Sequence, residues 1–236
     1  MKGITHATTG AAAGAVFATT AGFDLPTAIA TVGLTAGAAM LPDFDHPSAS
    51  PAQMYGPVTR GLARALSAIS GGHRKATHMI FAPLLFALGI WAAIVFIPNQ
   101  WGAYGSVFLL TSLAFTGLWR LDKKLRVLFP LLSAAVTWYA VASGLGVGDS
   151  SLFVAECVAL GVAAHMLGDA LTESGIPLFG PIPVNGKPWK RISLIPAPLQ
   201  HKGIFISTGA WDLINRVAAI AVFACATGVY FGLFAL

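Results

Sequence analysis

Apolar runs along the chain alternate with short polar breaks. Residues 7–22 and 27–41 are two short runs rich in Gly, Ala and Thr, separated by a turn at 23–26. Four longer runs follow at 78–97, 103–119, 127–145 and 152–170, and a last one begins near Gly209 and continues to the C-terminus. Runs of this kind predict helices of membrane-crossing character, for which about 20 residues span a hydrocarbon core. The first two are shorter than that, and their small residues suit close helix–helix contact better than contact with lipid. Lys2 before the first run and small residues after it resemble a signal peptide, but the run is weakly hydrophobic and a similar run follows at once, so it reads as a first helix.

The polar breaks carry their own signals. Residues 47–75 hold a Pro-rich loop and then V-T-R-G-L-A-R-A-L-S-A-I, which sets Leu62, Leu66 and Ile69 on one helical face and Arg60 and Arg64 on the other. This predicts an amphipathic helix, either lying in the headgroup layer or packed on the bundle as a surface helix. After Leu171, prolines at 177, 181, 183, 188, 196 and 198 predict a long non-helical stretch. No internal repeat of fixed period is present.

Composition fixes the class. Hydrophobic residues are 56% of the 236, charged residues 10%, and mean hydropathy is +0.75; soluble domains carry about a quarter charged residues. The expectation is an all-α, polytopic transmembrane helical bundle of about seven spans, forming one integral-membrane domain over 1–236. Cys157 and Cys225 lie in apolar runs and suggest neither a disulfide nor a thiolate site. With seven spans, all 14 Lys and Arg fall on or near the N-terminal side, and the opposite connections contain none. The positive-inside rule makes that side cytoplasmic, in a multi-pass protein of the bacterial inner membrane. The charges sit at helix ends rather than on a solvated basic face, which argues against nucleic acid as a partner.

Candidate chemistry concentrates between Leu41 and His78. The stretch L-P-D-F-D-H-P-S-A-S supplies Asp43, Asp45 and His46, and G-G-H-R-K-A-T-H supplies His73, Arg74 and His78. Farther on, H-M-L-G-D-A-L-T-E-S-G puts His165 and Asp169 four apart on one helical face, with Thr172 three further. The span count brings these to the same membrane side as His6, expected just before the first helix. Imidazole and carboxylate without thiolate suit zinc, manganese or iron. His6, Asp43, Asp45, His46, His73, His78, His165 and Asp169 are therefore the candidate metal ligands, enough for two ions. His46 is alternatively a residue that orients Asp45 from behind. His73 and His78, five apart, converge only if the chain between is not wholly helical, which Gly71 and Gly72 permit. Arg74 reads either as a grip on a phosphoryl or carboxylate oxygen or as a positive-inside anchor. Glu156 falls on the opposite face and is structural; Glu173 and His201 share the compartment without a geometric argument. Lys187, Lys190 and Arg191 read as headgroup contacts.

The motifs L-P-D-F-D-H-P-S, G-H-R-K-A-T-H and H-M-L-G-D-A-L-T-E-S-G-I-P-L-F-G-P, with an N-terminal His, resemble a bacterial inner-membrane metal-dependent hydrolase family, LexA-binding in some descriptions, itself similar to zinc-dependent phospholipase C. The resemblance implies a metal-dependent hydrolase with His6, Asp43, Asp45, His73, His78, His165 and Asp169 as ligands. Met79 and T-G-A-W-D (208–212) depart from its usual pattern. The expected activity is hydrolysis of a phosphate ester, a phospholipid or other lipid-linked substrate, at the cytoplasmic face, with two zinc ions (or Mn or Fe) and membrane lipids as partners. Asp45 or Glu173 is the expected general base, with Arg74 offsetting charge on the phosphoryl group. Alternatives from other classes are a divalent-metal transporter and a metal-stabilised membrane scaffold or sensor.

Overall fold

A computed structural model describes residues 2–118, 128–195 and 210–233. Among them the chain is helical with only isolated bridges between extended residues. The helices are α1 (Gly3–Ala21), α2 (Leu25–Ala38), the short α3 (Ser50–Gln53), α4 (Pro57–Ile69), α5 (Ala82–Phe96), α6 (Trp101–Leu118), α7 (Phe129–Ala142), α8 (Ser150–Ala170) and α9 (Ala210–Tyr230), with 3-10 turns at Pro42–Asp45 and Ala76–His78. Three segments, Leu25–Asp45, Ser150–Ala170 and Ala210–Tyr230, are long and apolar enough to cross a membrane, and Ala82–Phe96 and Phe129–Ala142 are shorter apolar helices. The helical-bundle expectation holds, with seven long helices in the predicted order among the described residues. The basic loop at 120–126, His201 and Thr208 lie outside them.

α1, α2 and α8 form the centre. α9 packs on α1, α5 on α8, α6 on α2 and α5, and α7 chiefly on α6. Small residues set this closeness. A Cβ on Gly10 or Gly14 of α1 would overlap Thr35 of α2, and one on Gly161 of α8 would overlap Thr35 O and Ala38. With lipid as solvent there is little hydrophobic force between helices, so such close backbone approach is what dispersion needs to hold them together. Outward-facing Leu84, Leu88, Leu131, Trp138, Val217 and Ile220 are exposed, the reverse of a soluble protein and the right surface for hydrocarbon.

Helix starts differ from the sequence reading for identifiable reasons. Asp24 caps α2 by accepting from Thr27 N at 3.2 Å, so the helix begins at Leu25. α1 begins at Gly3, and Lys2 N donates to Asp212 Oδ1 of α9 at 2.9 Å. His6 therefore lies inside the first helix rather than before it. α4 has three faces: Thr59 and Ala63 are buried against the protein, Val58, Leu62 and Ile69 form an exposed apolar stripe, and Arg60 and Arg64 are exposed on a third side. It packs on the bundle through α3 and the Pro42–Asp45 turn and leaves that apolar stripe exposed.

Residues 171–195, the described part of the stretch after α8, are non-helical, as Pro177, Pro181, Pro183 and Pro188 predict. They fold back as a compact loop in which Ile176 pairs with Ile192. Leu194 N donates to Ala170 O at 2.8 Å and Ile80 N to Leu178 O at 2.9 Å, tying the loop beside Asp169 and His78.

Candidate metal centre

Four segments deliver the candidate ligands to one end of the bundle: the first turns of α1, the 3-10 turn after α2, the turn at 73–78, and the last turns of α8. The turn at 73–78 is made possible by left-handed backbone at Gly71 (φ +80°), Gly72 (φ +118°) and Arg74 (φ +56°), conformations that suit glycine and are uncommon elsewhere. Asp45 fixes that turn. Its Oδ1 accepts from His73 Nδ1 at 2.6 Å, and its Oδ2 accepts from Arg74 N at 3.1 Å and from Thr77 Oγ1 at 2.5 Å.

Asp43 (15% exposed) lies between two imidazoles, with Oδ2 4.0 Å from His6 Nε2 and Oδ1 4.0 Å from His165 Nε2. His6 Nε2 is 3.4 Å from Asp169 Oδ1, and the His6 and His165 rings stack at 3.7 Å between centroids. Asp169 Oδ2 is 3.7 Å from His78 Nε2 and 3.8 Å from His165 Nε2. His6, His78, His165 and Asp169 are all fully buried. Two groups thus place one ligand atom from each of three residues within 4.8 Å of one another: His6, Asp43 and His165, and His78, His165 and Asp169. The two groups share His165, so the five side chains form one contiguous cluster.

Proton placement shows what that shell fits. His165 Nδ1 donates to the carbonyl of Ala39 at 2.8 Å, which leaves Nε2 with a lone pair. Thr77 spends its one hydroxyl proton on Asp45, so at 2.9 Å it accepts from His78 Nδ1, and His78 Nε2 is bare as well. The two bare Nε2 atoms face each other at 3.2 Å. Burial, reinforced by His165, pushes the His78 imidazolium pKa down to about 3, against the attraction of Asp169, Asp43 and Asp45, so no proton is shared between the rings near neutral pH. Two lone pairs at that range repel unless a cation lies between them. Ligands 2.0–2.1 Å from a tetrahedral zinc are about 3.3 Å apart, close to the 3.2–4.0 Å separations found here. The donor set and its tautomers fit a divalent cation.

The other expected residues are placed differently. Asp45 is fully buried, and both its oxygens serve the 73–77 turn. His73 is thereby oriented by a carboxylate and stands at the mouth, its side chain 33% exposed. His46 Nδ1 accepts from Ser48 N at 3.3 Å, which puts its proton on Nε2, and its ring lies edge-on to His73 at 4.6 Å. Arg74 reaches inward, with Nη2 2.6 Å from Asp169 Oδ2. Glu173 has a buried Oε1 without a hydrogen-bond partner and belongs to neither group; Glu156 is exposed. The residues sequence reading passed over are Thr77 and Ala39, which set the tautomers of His78 and His165. Thr77 stood beside a candidate ligand, whereas nothing in sequence marks a backbone carbonyl.

A helical membrane protein with a buried cluster of imidazoles and carboxylates at one end of an apolar bundle is the class these observations define. The chain belongs to the YdjM inner membrane protein family, whose model matches residues 1–235. No curated protein and no solved structure matches it significantly.

Proposed function

We propose that the protein is a metal-dependent hydrolase of a phosphate ester, lipid or lipid-linked, working at the cytoplasmic face of the inner membrane. The observation that carries this reading is the facing pair of bare imidazole nitrogens, His78 Nε2 and His165 Nε2, bracketed by Asp43 and Asp169. His6, Asp43, His78, His165 and Asp169 would hold the cation; zinc suits the donors, with manganese or iron as substitutes. A divalent ion there supplies Lewis acidity and lowers the pKa of a water. The chain's own residues do the rest. Asp45 holds His73 with its second nitrogen turned away from the buried turn, at the exposed mouth, where it can take or return a proton. Arg74 is long enough to exchange Asp169 for a phosphoryl oxygen at the same mouth. The excess of Lys and Arg at this end of the helices supports the cytoplasmic orientation.

The test is purified full-length protein reconstituted with zinc or manganese and offered a soluble phosphodiester and an inner-membrane lipid extract. His165→Ala and Asp169→Ala are expected to lose bound metal and turnover together. Metal that crosses the membrane of proteoliposomes without hydrolysis would instead indicate a transporter, and bound metal with neither activity would indicate a scaffold.

A further inference from the structure

Between α1, α2, α6 and α7, with Ser150 and Phe153 at the start of α8 also in its wall, lies a cleft of about 900 Å³. It exists because α7 packs chiefly on α6 and leaves a gap toward α2. Its wall is largely apolar, drawn from residues such as Ala7, Gly33, Ala36, Phe115, Val136 and Leu145. The hollow is real at side-chain scale: a Cβ added to Gly33, in the middle of α2, would meet nothing within 4 Å. Ile29 and Tyr139 are lining residues that remain exposed, 65% and 73%, so the cleft opens sideways, where the bilayer is.

Length and position say what fits. From Leu25 to Ala36 the α2 wall runs about 17 Å at 1.5 Å per residue, nearly the whole length of α2, so the cleft follows that helix and takes an extended chain lengthwise. At the upper end Ala7 follows His6 on α1, and Ala36 precedes by three residues the Ala39 whose carbonyl holds His165. A void of this size among apolar walls forfeits dispersion contacts on every side. A cleft that opens laterally in a membrane faces hydrocarbon, which can fill it.

We infer that the α2–α7 cleft seats the hydrocarbon chain of a lipid and, resting on the hydrolase reading above, that this lipid is the substrate, its head at the level of the metal centre. The class of substrate is then a long-chain phosphate ester rather than a soluble one, selected by chain length as well as by head. Gly33→Phe fills the cleft without touching any proposed ligand. Gly89→Phe is the control, because a Cβ there, on α5, also meets open space but lies outside the cleft.

The experiment uses full-length protein in nanodiscs of phosphatidylethanolamine and phosphatidylglycerol doped with a phospholipid carrying a diazirine in its acyl chain. Crosslinks are mapped by peptide mass spectrometry, and hydrolysis of a long-chain phosphate ester and of bis(p-nitrophenyl) phosphate is measured in parallel. We expect labelling concentrated on cleft residues of α2, α6 and α7, reduced about fivefold or more by Gly33→Phe and unchanged by Gly89→Phe. For the long-chain ester Gly33→Phe should raise KM about tenfold, and for the soluble ester leave it unchanged. Labelling spread equally over α5 and the cleft, or indifferent to Gly33→Phe, overturns the chain site. Cleft labelling lost in Gly33→Phe with unchanged long-chain kinetics overturns the substrate assignment and leaves a resident lipid. Cleft labelling with neither ester hydrolysed upholds the chain site and sinks the hydrolase reading alone.

Discussion

Replacing Thr77 by Val keeps the shape of a side chain that is 4% exposed and removes the hydroxyl joining Asp45 to His78. Without that acceptor, the His78 proton is free to move to Nε2, and a protonated nitrogen cannot ligate. Two independent magnitudes bear on the result. Groups that orient a ligand from behind typically change metal affinity 10- to 100-fold. A hydrogen bond to a charged group is worth about 1.5–3 kcal/mol, which at about 1.4 kcal/mol per decade is roughly 10- to 150-fold. We therefore expect zinc affinity, read by competition with a chromophoric chelator at pH 7.5 in detergent, to fall by one to two orders of magnitude in Thr77→Val. Thr77→Ser should stay within a few-fold of the parent. An unchanged zinc Kd in Thr77→Val would refute the tautomer argument, whatever happens to the melting temperature.

Further expectations follow from packing, charge and pH. Gly161→Leu should drive α8 away from α2, because even a Cβ there meets Thr35 O and Ala38; a loss of at least 1–3 kcal/mol, seen as a lower melting temperature, should accompany weaker metal binding, since α8 carries His165. Asp43→Asn keeps the shape but removes a charge between His6 and His165, and metal content by plasma mass spectrometry should drop at least tenfold. His78 is neutral when folded, with its pKa lowered to about 3 from 6.5. Its contribution to stability is therefore fully present above pH 6.5 and is lost as pH falls toward 3. Chelator-treated protein should lose up to about 5 kcal/mol over that window at about 1.4 kcal/mol per unit, and His78→Gln should lack this part of the pH dependence in denaturant melts.

Much of the architecture was written in the hydrophobic pattern, because a helix in lipid must be apolar for most of its length and the polar breaks between helices are easy to see. The i, i+4 pair His165 and Asp169 was legible for the same reason, as was the need for Gly71 and Gly72 to unwind the chain between His73 and His78. What was not legible depends on contacts between distant segments. The start of α1 is set with Asp212, 210 residues away, and that start draws His6 into the helix and into the buried shell. Asp43 and Asp45 look equivalent in L-P-D-F-D-H, yet the 3-10 turn sends Asp43 toward His6 and His165 and Asp45 toward the 73–77 turn. Pattern alone gives no account of which of two neighbouring carboxylates faces inward. The α2–α7 cleft escaped sequence reading because a run of Ala and Gly reads as close packing whether or not a helix lies opposite.

The central claim is that the cluster of His6, Asp43, His78, His165 and Asp169 binds a divalent cation with His165 as a ligand. X-ray absorption spectroscopy on zinc-loaded full-length protein, after exhaustive dialysis, tests it most directly. The account predicts tightly retained zinc with nitrogen and oxygen neighbours near 2.0–2.1 Å, an imidazole outer-shell signal and no sulfur, with that signal diminished in His165→Ala. Zinc that dialyses away, or a spectrum the same in parent and His165→Ala, would contradict it.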